Sequence, residues 1–239
     1  MTDMEQVLTQ LVERLRKAYG ERLISVVLYG SGAVGDHHGR FSDLNILCVL
    51  SQVTPRELAD SDAVFRWWRE LDNPSPLLLS LEELRHSTDC FPIEFHDIRE
   101  RHRILFGENV VADLEVGKTF YRVQVEYELR SKLLRLRQKA ASVLSDKDLL
   151  RRLLADSLST FCVLFRHALI LHGVEAKFRK REVIAQARDR LGLDSSPFDA
   201  LLDMREGKIK PRDIDPGPLF AKYLKEVQAV VDAVDRLEQ

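Results

Sequence analysis

Two short apolar runs on either side of a Gly-rich segment restrict the fold of this 239-residue chain more than any other feature. LISVVLYG (23–30) and NILCVL (45–50) are rich in β-branched and aliphatic residues, which is typical of buried strands. The segment GSGAVGDHHGRF (30–41) between them is polar and predicts a loop with one helical turn. The first part of the chain is therefore predicted to contain a sheet with a functional loop at its edge.

Further elements surround these two strands. Residues 3–20 and 55–71 have apolar residues at three- and four-residue spacings, which predicts amphipathic helices. FPIEFHDI (91–98) predicts a third strand, with Pro92 near its start, where a proline is tolerated. LLLSLEELRHS (77–87) is compatible with either a strand or a helix.

From Lys118 onward the pattern is helical almost to the end of the chain. The candidate helices are 118–143, 147–172, 179–191, 197–206 and 218–237. We therefore predict the α/β (α+β) class with two domains. A small mixed-sheet α/β domain covers residues 1–117, and an all-helical bundle covers residues 118–239.

The composition excludes several classes of protein. With 45% hydrophobic and 31% charged residues, the chain can bury a core and is not disordered. The first residues, MTDMEQVLTQ, carry acids and no apolar run, so we expect no secretory signal, and we find no apolar run that approaches the roughly 20 residues that span a bilayer. The cysteines, Cys48, Cys90 and Cys162, are odd in number and form no C-x-x-C pair. We expect a reduced, cytoplasmic protein.

The net charge of −2 hides an asymmetry between the two halves. Residues 118–239 contain 24 Lys and Arg against 18 Asp and Glu, a net of +6, which leaves −8 for residues 1–117. An acidic half could hold metal, and a basic half could hold a phosphorylated ligand. Alternatively, the two halves simply attract each other.

The residues at the ends of the first two strands suggest a phosphate site. Gly30 at a strand end lets the backbone approach a ligand, and a helical turn that begins at Ser31 directs free N–H groups at an anion. Asp43 and Asn45 are two residues apart, so their side chains leave the same face of the second strand, whereas Ser42 and Leu44 face the other way. Two oxygen ligands beside a phosphate cradle predict a magnesium-bound nucleotide.

Glu94 is a carboxylate in the otherwise apolar run that predicts the third strand. Burial of an unpaired carboxylate is costly, so its position there needs a cause. Metal coordination or general-base chemistry would supply one. On a strand, His96 would share the face of Glu94.

These motifs resemble the polymerase-beta-like nucleotidyltransferase superfamily. Its pattern is a strand, Gly-Ser, a short helix, a Ser-Asp-x-Asp strand and a third carboxylate on a neighbouring strand. Gly30-Ser31 and Ser42-Asp43-Leu44-Asn45 match the first two motifs, and Glu94 is the candidate for the third acid. FPIEFHDIRERHRILFGE is also similar to a segment of aminoglycoside nucleotidyltransferases, which add a C-terminal helical domain.

The resemblance implies transfer of a nucleoside monophosphate from a nucleoside triphosphate such as ATP to a hydroxyl of an unidentified small-molecule or protein acceptor. Gly30, Ser31 and Ser42 would bind the nucleotide. Asp43, the second acid position and Glu94 would hold Mg²⁺, and Asp43 and Glu94 would be catalytic.

One residue departs from the pattern: the second acid is Asn45. An amide oxygen can ligate magnesium, but it brings no negative charge, so metal binding and catalysis should weaken. The alternative function is a non-catalytic nucleotide-binding or regulatory module, or one member of a toxin–antitoxin pair.

Two features of the helical half remain open. The run Lys177-Phe-Arg-Lys-Arg181 could bring Lys177, Lys180 and Arg181 to the phosphates, or it could be a solvated face; it is too short to indicate RNA binding. Arg166 and His172 resemble the Arg-polar-x4-His motif of HEPN ribonucleases, which usually act as dimers, so a homodimer is compatible with the sequence. Otherwise these two residues lie at partly exposed positions beside a core stripe.

Overall fold

The computed structural model describes residues 3–34, 44–117 and 120–237. The chain divides into two compact units, Met1–Lys118 and Thr119–Gln239. Within the described residues, the first unit contains a four-stranded sheet with helices, and the second unit contains helices without a sheet. This arrangement confirms the predicted fold class. We call the two units the sheet unit and the helical unit.

The sheet unit has the strand order β3-β2-β1-β4. Strand β1 is antiparallel to both β2 and β4, and β3 is parallel to β2. The parallel pair is joined by a helical crossover, as such a connection requires. The elements are α1 (Asp3–Tyr19), β1 (Leu23–Tyr29), β2 (Asn45–Leu50), α2 (Pro55–Glu70), β3 (Leu77–Ser80), α3 (Leu81–His86), α4 (Pro92–Glu100) and β4 (His102–Gly107).

Alternation along the strands places apolar side chains on both faces of the sheet. One face, here called the α1 face, packs against α1 and α2; its strand residues include Val26, Leu28, Ile46 and Cys48. The opposite face, here called the α4 face, packs against α3 and α4; its strand residues include Val27, Leu47 and Val49. Both central strands are therefore buried on two sides.

The third predicted strand is wrong, because residues 92–100 form helix α4. Pro92 occupies the first turn of this helix, where its missing N–H costs nothing. Pro92, Phe95 and Ile98 are all buried, and their three-residue spacing fits a helix rather than a strand. The strand that pairs with β1 is instead β4, a few residues later. The ambiguous segment 77–87 contains both β3 and α3.

The helical unit follows the predicted helices closely. Its core includes an aromatic cluster in which Phe165, Phe198 and Tyr223 lie with successive ring centroids 5.4 and 4.9 Å apart. The helices are α5 (Tyr121–Ala141), α6 (Lys147–Leu171), α7 (Lys180–Leu191), α8 (Ser196–Arg205) and α9 (Pro216–Asp235).

Helix α6 departs from the expectation that no apolar segment is long enough to span a bilayer. By length and composition alone, its 25 residues could cross a membrane. However, 56% of its most apolar stretch is buried inside the structure, as in the core helix of a bundle. Its apolar character is accounted for by packing, since residues such as Leu154, Leu158 and Phe165 are almost fully buried.

Candidate functional site

Three neighbouring strands bring polar residues into one row that runs across their ends. Tyr29 at the end of β1 pairs with Asn45 at the start of β2 and with His102 at the start of β4. These three residues are each two positions from α4-face residues, so the row belongs to the α4 face. All three are half-buried. We call Asn45, Tyr29 and His102 the polar row.

Gly30 turns the chain directly beside this row. Its φ of +78° lies in the left-handed region that favours glycine. A Cβ at this position would lie 3.4 Å from Nδ2 of Asn45. The N–H of Gly30 donates to the carbonyl of Arg101 at 3.0 Å, so it is already used by the protein. Gly30 therefore contributes a close backbone approach, and any phosphate contact falls to later N–H groups.

Those later groups belong to a short 3-10 turn, Gly30–Val34, which includes the backbone of Ser31. The first N–H groups of such a turn have no partner within it, and they suit an anion. Ser42 and Asp43 lie outside the described residues, so their nucleotide and metal roles stay predictions. The description resumes at Leu44, which is buried on the α1 face. Leu44 and Asn45 thus alternate as the sequence predicted.

Glu94 lies in the first turn of α4 and is exposed. It is not the buried strand carboxylate that the sequence predicted, and His96, two residues later, does not share its helix face. Its negative charge nevertheless affects Tyr29 of the polar row. The pKa of Tyr29 is raised, first by burial and second by the negative charge of Glu94. Glu94 therefore acts electrostatically on the same edge as Asn45.

The described strands carry no carboxylate, because β1 to β4 contain neither Asp nor Glu. A third carboxylate on a neighbouring strand is thus absent from this part of the chain, and Glu94 on α4 is the acid nearest to that role. Oxygen donors of this kind, an amide and a carboxylate, suit Mg²⁺. The neutral amide of Asn45 leaves such a donor set with one negative charge fewer than a set of three carboxylates.

His102 is a site residue that sequence reasoning missed. Its Nδ1 lies 3.1 Å from the carbonyl oxygen of Ile98 and 3.0 Å from that of Arg99. Carbonyl groups only accept, so Nδ1 donates and Nε2 bears the lone pair in the neutral ring. No sequence signal marks His102, because its place depends on the pairing of β4 with β1.

The three basic residues that the sequence predicted to bind phosphate lie in the helical unit. Lys177 and Lys180 are exposed. Arg181 forms hydrogen-bonded ion pairs with Asp203 and with Glu206, the latter at 2.8 Å. These contacts raise the pKa of Arg181 and, with Lys208, lower that of Glu206 to about 2. The charge of Arg181 is therefore already balanced within the unit.

Arg166 and His172 differ sharply in their surroundings. Arg166 is 3% exposed, so its predicted partly exposed position is wrong. It donates to Nε2 of His167 at 2.9 Å and lies over the ring of Phe178, 4.4 Å from its centroid. His172 follows the last residue of α6 and is exposed. Tertiary packing of the guanidinium, which the local pattern does not encode, separates the two residues.

A solved structure shares this fold over almost the whole chain. Spectinomycin adenyltransferase AAD(9) from Enterococcus faecialis, determined with ATP and spectinomycin, matches with a TM-score of 0.64. The match covers 97% of this chain and 99% of that chain at 12% identity. At this identity the likeness establishes the fold. The predicted architecture, a small mixed-sheet domain followed by a helical domain, is thus confirmed as a fold that this adenyltransferase also has.

Two toxin–antitoxin structures match less well. One, determined with AMP-PNP, covers 58% of this chain and 96% of that chain, with 18% identity and a TM-score of 0.32. The other, a tri-AMPylated HEPN toxin with its MNT antitoxin from Shewanella oneidensis, covers 59% and 96%, with 15% identity and a TM-score of 0.31. Likeness at this level carries no argument about function. No protein-family model and no curated protein matches the sequence.

Proposed function

We propose that this chain is a nucleotidyltransferase that moves a nucleoside monophosphate from a nucleoside triphosphate to a hydroxyl acceptor. The main support is the position of Gly30 beside Asn45, since a Cβ at Gly30 would lie 3.4 Å from Nδ2 of Asn45. It joins the predicted phosphate cradle to the predicted metal strand at one sheet edge. The shared fold with AAD(9) adds support, since that protein is an adenyltransferase crystallised with ATP.

The residues of this edge have distinct proposed roles. The backbone from Ser31 onward would donate N–H groups to the triphosphate, and Gly30 would let the phosphates approach. Ser42 would assist nucleotide binding. Asp43, Asn45 and Glu94 would provide oxygen ligands for Mg²⁺, which when bound neutralises phosphate charge and aligns the reacting groups. Glu94, which is exposed at the start of α4, would also accept the proton of the acceptor hydroxyl.

Within the helical unit, the side chains that the sequence predicted to bind phosphate stay proposals. Lys177 and Lys180 are the stronger candidates because both are exposed. Arg181 is the weaker candidate, since releasing it from Asp203 and Glu206 would leave two carboxylates without their partner.

A second candidate function is nucleotide binding without transfer. One observation favours it: Asn45 brings a neutral amide to a position where the resemblance implies an acid. A site with one fewer negative charge holds divalent ions less tightly, while hydrogen bonds to the phosphates remain. This alternative predicts affinity for a triphosphate with little dependence on magnesium.

Calorimetric titration with ATP and with GTP, each with and without Mg²⁺, separates these functions. Binding that requires Mg²⁺ supports the transferase, and binding that ignores Mg²⁺ supports the nucleotide-binding module. Transfer itself is measured with ATP labelled at the α-phosphate and a panel of acceptors that includes aminocyclitols such as spectinomycin. If neither nucleotide binds, both functions are excluded for those ligands.

Variants then test the site. Asp43→Ala and Glu94→Gln should each abolish transfer. The matched control is Glu100→Gln, the same substitution at an exposed residue of the same helix, which should retain transfer. An HEPN-type ribonuclease predicts the reverse pattern: His172→Ala would abolish RNA cleavage and Asp43→Ala would not. No structural observation favours that ribonuclease, given the burial of Arg166.

A further inference from the structure

Helix α5 exposes a regular apolar seam on the side opposite its buried face. Its buried residues, among them Val125, Leu129 and Leu136, belong to the core of the helical unit. Four large apolar side chains point the other way and are 54–62% exposed. They are Phe120, Val123, Tyr127 and Leu134. Large apolar side chains that recur on one exposed helix face form a candidate interaction surface.

The spacing of this seam is that of a coiled coil. Phe120, Val123, Tyr127 and Leu134 fall on alternating three- and four-residue steps once Arg130 and Arg137 are included. A repeat of this kind, averaging 3.5 residues, keeps one stripe of a helix facing a partner helix. The 21 residues of α5 extend about 31 Å at 1.5 Å per residue, which is long enough for such a pairing.

We propose that two copies of this chain associate through an antiparallel pair of α5 helices. A two-fold axis between Tyr127 and Arg130 places each seam residue opposite a different one. Val123 then meets Leu134 of the partner subunit. Tyr127 meets Arg130 of the partner subunit, and Phe120 meets Arg137 of the partner subunit.

The positions of Arg130 and Arg137 favour an antiparallel orientation of the two α5 helices. In the antiparallel pair each guanidinium lies against an aromatic ring, a favourable cation–π arrangement. In a parallel pair Arg130 would face its own counterpart, and so would Arg137, which is repulsive. Inside the chain Arg130 is paired with Glu126 at 2.7 Å and with Asp235 at 3.0 Å, and Arg137 donates to Gln228 at 2.7 Å. The proposed pairing requires only that the flat face of each guanidinium packs on the partner's ring while its edge keeps these contacts.

The area of the seam is consistent with a second copy as occupant. A fully buried aromatic side chain removes roughly 150–250 Å² from water, and only the exposed 54–62% of each seam side chain is left to bury, so the two aromatic residues, the valine and the leucine offer on the order of 400 Å² per chain. With the flanking arginines, this is more than half of the roughly 800 Å² per partner of a standard interface, which suits a dimer at the weak end of the range. The surface is complementary to itself, as a two-fold interface requires.

Sedimentation of the full-length chain at micromolar concentrations tests the association. The expected mass is twice the 27.5 kDa of one chain. Leu134→Glu should raise the dimer dissociation constant at least tenfold. Leu58→Glu is the matched control because Leu58 is 54% exposed on α2, against 57% for Leu134, and it should leave the dimer intact. A monomeric wild type, or equal effects of the two variants, would overturn the proposal.

Cross-linking tests the orientation without weakening the helix. In a Cys90→Ser background, which removes an exposed native thiol, Val123→Cys and Leu134→Cys are made singly and together. The antiparallel register predicts an intersubunit disulfide only in the double variant, because residue 123 faces residue 134 of the other copy. Cross-linking of the single variants at equal yield, or no cross-link in any variant, contradicts this register. Circular dichroism confirms that each variant is folded.

Discussion

The two faces of the sheet differ most at the edge where β1 ends and β2 begins. On the α1 face this edge is closed: Leu28 and Leu44 are buried, and Arg103 of β4 is paired with Glu5 of α1 at 2.8 Å. On the α4 face the same strand ends present the half-buried polar row. Alternation along each strand therefore produces a sealed core and a candidate site from adjacent residues. A one-residue slip in register would exchange them.

The largest expected effect is at the closed face. Trp68 on α2 is fully buried against the α1 face, and its indole N–H donates to the carbonyl of Pro74 at 2.9 Å. Trp68→Ala should lower the free energy of unfolding by about 3–5 kcal/mol, measured by urea denaturation. Nucleotide affinity below the unfolding transition should be unchanged. A loss of affinity in the folded variant would show that the two faces are not independent.

The next effect is at the turn beside the polar row. Gly30→Ala forces a Cβ into the left-handed region, which costs about 1–2 kcal/mol, and it adds a carbon against the amide of Asn45. Nucleotide affinity should fall along with stability. Gly20→Ala is the control, because Gly20 has φ of +57° but no atom within 4 Å of the added carbon. Equal nucleotide affinity in the two variants would contradict a role for Gly30 at the site.

Asn45→Asp restores the missing charge of the polar row. The proposed function predicts that Mg²⁺-dependent affinity for ATP increases by roughly tenfold, which corresponds to about 1.4 kcal/mol. The increase should vanish when Mg²⁺ is omitted from the titration. The control is Asn73→Asp. It places the same charge on a side chain whose Oδ1 accepts from the N–H of Leu44, and it should leave the affinity for ATP unchanged. An Asn45→Asp variant with weaker Mg²⁺-dependent binding would argue against metal ligation at this residue.

The smallest expected effect concerns the buried carboxylate of Glu57, which pairs α2 with Arg22 on the closed face. Hydrogen bonds from Thr54 and Arg22 lower the pKa of Glu57 to about 2. A lowered pKa stabilises the fold above the unfolded value of about 4.5, and that stabilisation is lost as the pH falls towards 2. Glu57→Gln should lower Tm by about 2–4 °C at pH 7. The difference between wild type and variant should shrink below pH 4.5, which thermal unfolding across pH 3–7 would check.

The sequence was most informative where the pattern is local. The apolar runs at 23–30 and 45–50 predicted β1 and β2, and alternation placed Asn45 and Leu44 on opposite faces. The segment 91–98 was wrongly predicted as a strand because Ile93, Glu94 and Phe95 alternate between apolar and polar. Ile98 is buried three residues after Phe95, which is helical spacing, but that burial depends on packing against the sheet.

Residues whose roles depend on tertiary contacts could not be predicted. His102 joins the polar row only through the pairing of β4 with β1. Arg166 is buried because His167 and Phe178 meet its guanidinium. Neither contact leaves a signal in the spacing of the residues around it.

The pairing of β1 with β4 also has a consequence for the order of folding. Tyr29 and His102 are partners, although 73 positions separate residue 29 from residue 102. Closing so long a segment is slow in comparison with forming a local helix. During synthesis β1 and β2 can pair as soon as they emerge, but Gly30 gains its bond to Arg101 only after β4 has joined them. The candidate site is therefore expected to be among the last parts of the sheet unit to become native.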